Sequence, residues 1–286
     1  MRSPETMLAL ILDAARKDPR IRAVSLNGSR ADPDAPKDAF RDFDVVFSVT
    51  ETAPFLADRR WLAAFGTPLL TQEPDAVDAA WGEAPDPALG YTWLMLFDDG
   101  NRIDLHIEPV TRTLENWGKD SLTVLLLDKD GTLPALPPSS DAGYRLPQPT
   151  QAQFWACCNE FWWCMNNVIK GIARDELPYA HAMWNGPVRD MLDRMLVWKI
   201  GFAQGFPVSA GKSCKYFRRL LSPADYAAYA ETYSSFAGLT ASARAGCALF
   251  SRVLHEVAAA GGFSVRESEE AGLRRYWEMA DRREIG

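Results

Sequence analysis

The sequence predicts a mixed α/β N-terminal domain followed by an all-α helical-bundle C-terminal domain. Three observations carry this. Residues 21–131 hold short β-branched and aromatic runs bounded by turn residues. LPALPPSS and LPQP, between 133 and 149, carry five prolines in a short stretch and read as a semi-rigid linker. From Thr150 onward the apolar period becomes helical. The expected boundaries are therefore 1–135, a linker over 136–149, and 150–286.

In chain order, Met7 to Ala15 form a first helix, and IRAVSLNG (21–28) a strand running into a glycine turn. DFDVVFSVT (42–50) is a second strand with no breaker. YTWLMLFDD (91–99) and RIDLHIEPV (102–110) flank Gly100-Asn101, a hairpin signal, and LTVLLLDKDG (122–131) is a further short strand. In the second half, Thr150 and Gln153 form a capping box before FWACCNEFWWCMNNVIKGIA. Asn185-Gly186-Pro187 restarts a helix with Pro in its first turn. Val188, Met191, Leu192, Met195 and Leu196 follow at helical spacing, and that helix stops near Gly205. Ser222-Pro223 opens another helix, and 240–260 and 264–282 read as two more.

The balance of 47% hydrophobic and 24% charged residues is that of a soluble globular protein. A net charge of −7 argues against a general nucleic-acid binder and suits a cationic substrate. No stretch approaches the ~18 to 20 apolar residues of a membrane span. The opening MRSPETMLALILDAARKD is an amphipathic helix with acidic residues inside it, so a cytoplasmic protein without a membrane partner is expected. A monomer or weak dimer is expected. Cys157, Cys158 and Cys164 share one helical stretch, with Cys214 and Cys247 apart. With no CxxC pair and an odd count, they read as reduced thiols rather than a metal site or a disulfide frame.

Three pieces of the first half carry chemistry. Gly28-Ser29 ends a strand, where Gly lets backbone approach a phosphate and Ser29 offers a hydroxyl and an N–H. By itself the pair is compatible with an ordinary turn. Asp42 and Asp44 share one face of the second strand, ~7 Å apart, where they repel unless cations sit between them. In RIDLHIEP, Ile103, Leu105 and Ile107 form one face; Arg102, Asp104, His106 and Glu108 form the other. If that strand pairs near Asp42, Asp104 completes a carboxylate cluster suited to two Mg²⁺ ions in phosphoryl transfer. GFPVSAGKS is not a P-loop, because five residues separate Gly205 from Gly211 and a helix precedes it. On the helix through NEFWW, Asn159 and Trp163 share a face and Trp162 turns aside; beside Glu160 such an aromatic wall suits guanidinium groups. The alternative is that both tryptophans are core. Asp175 and Glu176 follow a helix end, as a cap or as a cation-binding rim, and His181 and His255 read as structural.

Gly-Ser, then Asp-x-Asp on a strand, then a lone strand Asp is the pattern of the nucleotidyltransferase superfamily that includes DNA polymerase β. NGSRADPDAPKDAFRDFDVVF, LMLFDDGNRIDLHIEP, SLTVLLLDKDG, CCNEFWWC, KGIARDELPYA, GPVRDML and SAGKSCKYF go further. In this order, over about residues 24–235, they resemble the aminoglycoside 6-adenylyltransferases that modify streptomycin. The resemblance implies an N-terminal nucleotidyltransferase domain and a C-terminal helical domain, with ATP and streptomycin between them. It implies phosphate contacts for Gly28, Ser29 and Arg30, and magnesium binding by Asp42, Asp44 and Asp104. Lys212 and Lys215, in a family-like segment, are candidates to bring positive charge to the triphosphate. Glu160, Trp163, Asp175, His106 and Glu108 are candidates to line the antibiotic. The family's strand often reads RIDL followed by Thr where this chain has His106, so no essential role is expected of that histidine.

The expected reaction transfers AMP from MgATP to an aminoglycoside hydroxyl, most simply at the 6-position of streptomycin. Asp104 is the first candidate base, with Glu108 and Glu160 as rivals. Two other readings are weighed: the same transfer to a lincosamide, nucleotide or protein hydroxyl, and a non-catalytic nucleotide-binding, antitoxin-like module. An intact aspartate triad argues against the last, because a binding module has no need of two metals.

Overall fold

The computed structural model describes residues 2–38, 41–233, 238–265 and 267–281. Ala39 and Phe40 in the first family-like segment, Ser234 and Ser235 at the end of that span, and Arg266 and Arg282 in the last expected helix lie outside the described residues. The chain divides into two compact units, Met1–Gly143 and Tyr144–Gly286. Among the described residues no helix is long and apolar enough to cross a membrane.

The first unit opens with α1 (Pro4–Lys17), longer than its apolar stretch because Ser3 accepts the Thr6 N–H and Pro4 fits the first turn. Then come β1 (Ile21–Asn27), the short turn α2 (Gly28–Ala31), β2 (Phe43–Val49), α3 (Ala53–Ala57), β3 (Pro68–Gln72) and α4 (Pro74–Ala80). β4 (Tyr91–Phe97), β5 (Arg102–Pro109), α5 (Val110–Asn116) and β6 (Thr123–Asp128) complete it. The six strands form one mixed sheet in the order β3-β4-β5-β2-β1-β6. Among the described residues β2 and β5 pair in parallel, and the other neighbouring pairs are antiparallel.

Alternation decides the core. Phe43, Val45, Phe47 and Val49 of β2, Ile103, Leu105 and Ile107 of β5, and Trp93, Met95 and Phe97 of β4 are all buried with Met7, Ile11 and Ala15 of α1. Each large side chain so buried is worth about 1.5–3 kcal/mol. The β4–β5 hairpin closes where Gly100 takes φ +79°, and the Phe97 N–H reaches the Asn101 carbonyl at 2.9 Å. Asp99 in that turn is gripped by Arg2 (Nε–Oδ2 2.7 Å), which ties the start of the chain to it. The edge strand β3 gives no signal in the sequence. Leu69 and Leu70 are both exposed, so neither face alternates with a core.

The second unit is helical: α6 (Gln151–Ala173), α7 (Leu177–Met183), α8 (Arg189–Gln204), α9 (Phe217–Leu220), α10 (Pro223–Glu231), α11 (Leu239–Gly261) and α12 (Glu267–Asp281). The Thr150–Gln153 capping box is formed in both directions. The sequence places a fresh helix start at Pro187. Instead the chain passes from α7 to α8 through a π turn, Trp184–Val188, kinked at Gly186 (φ −100°, ψ −107°), where Pro187 has no N–H to donate. Phe161 of α6 and Phe250 of α11 stack at 3.7 Å, and Gly246 lets Trp184 close in where a Cβ would lie 2.4 Å from its ring.

One buried charge ties three of these helices together. Asp225 on α10 is 3% exposed and receives Lys199 of α8 (2.8 Å) and Arg252 of α11 (2.7 Å). The Ser222 hydroxyl also donates to it, at 2.8 Å. Burial pushes its carboxyl up, but these bonds outweigh burial and hold it at about 2. The folded value lies below the unfolded one of about 3.9, so the stabilisation is complete above about pH 4 and is lost as pH falls through about 2. Asp225→Ala is expected to cost about 2–3 kcal/mol at pH 7, since its partners are part-exposed. Urea titrations at pH 7 and pH 2.5 check this, and the difference between wild type and variant should shrink at the lower pH.

Candidate active site

The candidate site forms where the C-terminal end of β1 meets the N-terminal ends of β2 and β5. Antiparallel pairing sets Asn27 opposite Asp44, and parallel pairing sets Asp44 beside Asp104. Residues paired across adjacent strands point to one face, so both carboxylates emerge on the side away from the Phe43 and Ile103 core. Asp42 lies two residues before Asp44 and is reached by Arg102 (Nη1–Oδ2 3.6 Å).

Gly28 turns the chain out of β1 with φ +65°. A Cβ on it would lie 2.3 Å from Asp44 Oδ2 and 3.0 Å from Asp44 Cγ. The carboxylate thus rests directly against bare backbone, and the close approach that the sequence assigns to a phosphate is made first by Asp44. Arg30, in the same turn, donates to the carbonyls of Asp42 (Nε, 3.0 Å) and Arg41 (Nη2, 2.6 Å), with its guanidinium 3.6 Å from the Phe43 ring centroid. Arg41 in return donates to the Ser29 carbonyl. These bonds hold the turn and the start of β2 together. Burial, then the neighbouring Arg41, push the Arg30 guanidinium below its ordinary range.

Sequence alone assigns Arg102 no role beyond its place on the polar face of β5. Its Nε and Nη2 form a fork on the two oxygens of Asp104, each at 2.7 Å, while Nη1 faces Asp42. The available signal was the i, i+2 spacing that puts Arg102 and Asp104 on one strand face. Burial pushes the Asp42 carboxyl above its usual range; Arg102 and Arg30 oppose the shift and Asp104 adds to it.

Toward the other end of β5 the polar face makes a separate cluster. His106 Nδ1 lies 3.0 Å from the Thr92 hydroxyl, and the ring packs so closely on Gly90 that a Cβ there would come within 2.7 Å. Burial pushes its pKa below the ordinary value, against the pull of Glu108 and Asp75. Glu108 is buried, accepts the Thr113 hydroxyl at 2.9 Å, and has Arg112 at 3.6 Å. Four residues of strand rise, ~13 Å, separate it from Asp104.

In the helical unit Trp163 is 68% exposed while Trp162 is 6% exposed, so the adjacent tryptophans divide between surface and core. Glu160, one turn before Cys164, accepts its thiol at 3.2 Å. Asp175 closes α6. In the left-handed conformation (φ +56°), its N–H reaches the Ile172 carbonyl while the Glu176 N–H reaches that of Gly171. Lys212 and Lys215 flank Ser213 and Cys214, two non-glycine residues with positive φ (53° and 57°). Lys215 Nζ lies 5.3 Å from the centroid of the Tyr216 ring.

The donor set of Asp42, Asp44 and Asp104 fits a hard divalent cation: three carboxylates on one face, with no sulfur or imidazole among them. Beside them the Asn27 side-chain oxygen is buried with no hydrogen-bond partner. Among the described residues, the acidic and histidine groups whose ligand atoms lie within 4.8 Å of one another are His255, Glu267 and Glu270, which are exposed or half-buried. The three aspartates are not drawn together that tightly; Arg102 lies against two of them.

Known proteins resemble this chain along most of its length. The family model for streptomycin adenylyltransferase matches residues 1–280. An aminoglycoside 6-adenylyltransferase from Campylobacter jejuni is 38% identical over 260 residues, 90% of this chain and 89% of the relative. One from Bacillus subtilis (strain 168) is 37% identical over 238 residues, 82% of each chain. A crystal structure described as an aminoglycoside 6-adenyltransferase from Bacillus subtilis is 30% identical, with a TM-score of 0.48 and coverage of 98% of this chain and 99% of the other.

The Gly28–Asp44 contact makes a separable prediction. Gly28→Ala is expected to cost about 1–3 kcal/mol from its positive φ and the blocked carboxylate together. Asp44→Ala removes the obstruction but not the φ penalty. In a double-mutant cycle by urea unfolding, the double variant should therefore lose at least about 1 kcal/mol less than the sum of the singles. Simple additivity would show that the contact does not constrain position 28.

Proposed function

The chain belongs to the streptomycin adenylyltransferase family, and from that premise we propose that it transfers AMP from ATP to a hydroxyl of an aminoglycoside. The acceptor we infer is the 6-position of streptomycin, and pyrophosphate is released. The observation that carries the reading within this chain is the in-register pair Asp44 and Asp104 beside the bare backbone of Gly28. Such a site brings hard oxygen ligands and backbone N–H groups to one end of the central strands, as handling a polyphosphate requires.

Gly28 and Ser29 meet the phosphates, Gly28 through its backbone N–H and Ser29 through its hydroxyl and N–H. Arg30, committed to two carbonyls, acts through its fixed positive charge rather than as a mobile finger. Asp42, Asp44 and Asp104 would hold two Mg²⁺ ions, which, when bound, neutralise the triphosphate during in-line displacement. Asp104 takes the proton of the acceptor hydroxyl on a carboxylate oxygen. The hydroxyl oxygen bonds to the α-phosphorus, and the bond from that phosphorus to the bridging oxygen breaks, sending its electron pair out with pyrophosphate. Lys212 and Lys215 add positive charge for the triphosphate. Glu160, Trp163 and Asp175, all exposed, receive the cationic groups of the antibiotic by charge and ring stacking. His106 and Glu108 line the far end of the β5 face and hold shape there. The His106 ring is hydrogen-bonded to Thr92, and burial lowers its pKa against the pull of Glu108 and Asp75.

Two measurements test this. Incubation with ATP, Mg²⁺ and a panel of aminoglycosides should give a mass gain on streptomycin equal to one AMP. Pyrophosphate release that appears only with a lincosamide, nucleotide or protein acceptor would move the substrate to that class, and nucleotide binding without release would make the chain a binding module. At saturating substrates, Asp104→Ala should lower kcat by at least ~10² to 10⁴, while His106→Ala stays within about tenfold of wild type. Equal losses in the two variants would reassign the base to His106.

A further inference from the structure

Arg102 stands where the proposed metal site most needs empty space. Both oxygens of Asp104 are taken by its fork at 2.7 Å, and its remaining nitrogen faces Asp42 at 3.6 Å. Three carboxyl groups gather at one end of the central strands, and this guanidinium lies against two of them. It is also built to leave. Its side chain is 41% exposed, whereas that of Asp104 is 20% exposed, so the arginine is the partner with solvent to swing into. A guanidinium keeps its charge at any working pH and matches phosphate as well as it matches carboxylate.

We propose that Arg102 is an exchangeable counter-cation of the aspartate site, holding Asp104 and Asp42 while no divalent ion is bound and passing to a nucleotide phosphate when ion and nucleotide bind together. This rests on the metal-binding reading of Asp42, Asp44 and Asp104 given above. Mg²⁺ sheds its water reluctantly and takes carboxylates that are open to it. With the Asp104 oxygens engaged, a bare ion has to break two charge-assisted hydrogen bonds before it gains that ligand. A nucleotide changes the balance, because the displaced guanidinium finds an equivalent partner on the phosphates. Metal and nucleotide then each strengthen the binding of the other, and by linkage the coupling is reciprocal. Arg102 is on this reading a positioning residue that couples the two ligands.

The test is Mn²⁺ binding, followed by the EPR signal of free Mn²⁺, with and without ATP and with no acceptor present. Arg102→Gln should bind Mn²⁺ alone about fivefold more tightly than wild type, the upper scale of one part-exposed ion pair. Its affinity should gain correspondingly less when ATP is added. Arg102→Lys, which keeps the charge and loses the fork, should fall between the two. Thermal melts of the metal-free variants confirm that each is folded. A purely structural arginine would lower Mn²⁺ affinity or leave it unchanged, with the ATP coupling intact, and that result overturns the proposal. Asp44→Asn in both backgrounds separates the two levels. If it leaves Mn²⁺ binding untouched everywhere, the metal-site reading itself fails. If it abolishes binding while Arg102→Gln matches wild type, only the role of Arg102 falls.

Discussion

The architecture of the first unit turns on one contact, the Asp44 carboxylate resting against the uncovered backbone of Gly28. For that contact to exist, β1 must end at Asn27, its residue must pair with Asp44, and the next residue must adopt a positive φ without a side chain. The contact therefore specifies turn, register and residue type together. A one-residue slip between β1 and β2 would move Asp44 to the apolar face and Phe43 to the site, at the cost of a fully buried ring.

The same register explains the electrostatics. Because β2 and β5 run parallel, their N-terminal ends lie side by side, and carboxylates far apart in sequence become neighbours. Such a concentration of like charge is costly in partial burial, and burial pushes the Asp42 carboxyl up accordingly. Two arginines relieve it in different ways. Arg30 is bonded to backbone and stacked on Phe43, a fixed charge that also holds the turn. Arg102 is bonded to the carboxylates themselves, at the solvent edge. Beyond them, His106 and Glu108 have turned to Thr92, Thr113 and Arg112, so the β5 face divides into a charged end and an internally satisfied end.

The helical unit shows a comparable division of labour between neighbours. Trp162 packs edge-on to Phe161 and Phe250, while Trp163, one residue later and about 100° around the helix, is left in solvent. Asp175 serves first as the left-handed residue that ends α6, and its carboxylate remains at the surface. The Asp225 network with Lys199 and Arg252 fastens α8, α10 and α11 by charge, where Ser222 both caps the helix and orients the acid.

Much of this was determined by sequence alone. Alternation in DFDVVF and RIDLHIEP assigned the apolar face of each strand, and with it the shared face of Asp42 and Asp44 and the polar face that carries Asp104. Thr150 and Gln153 announced the start of α6, and the ordered run of family-like segments over about residues 24–235 identified the family. These are local signals, carried by spacing within one element. Tertiary structure decided what depends on partners distant in the chain. The edge strand β3 has no inward face and hence no pattern to read. The chain passes through Gly186 and Pro187 as a kink because α7 and α8 pack on the same core. Above all, Asp104 could be known as a carboxylate on a strand face, but not as the partner of Arg102 and neighbour of Asp44. Strand order and register are set by closing the whole sheet, and no single strand encodes them.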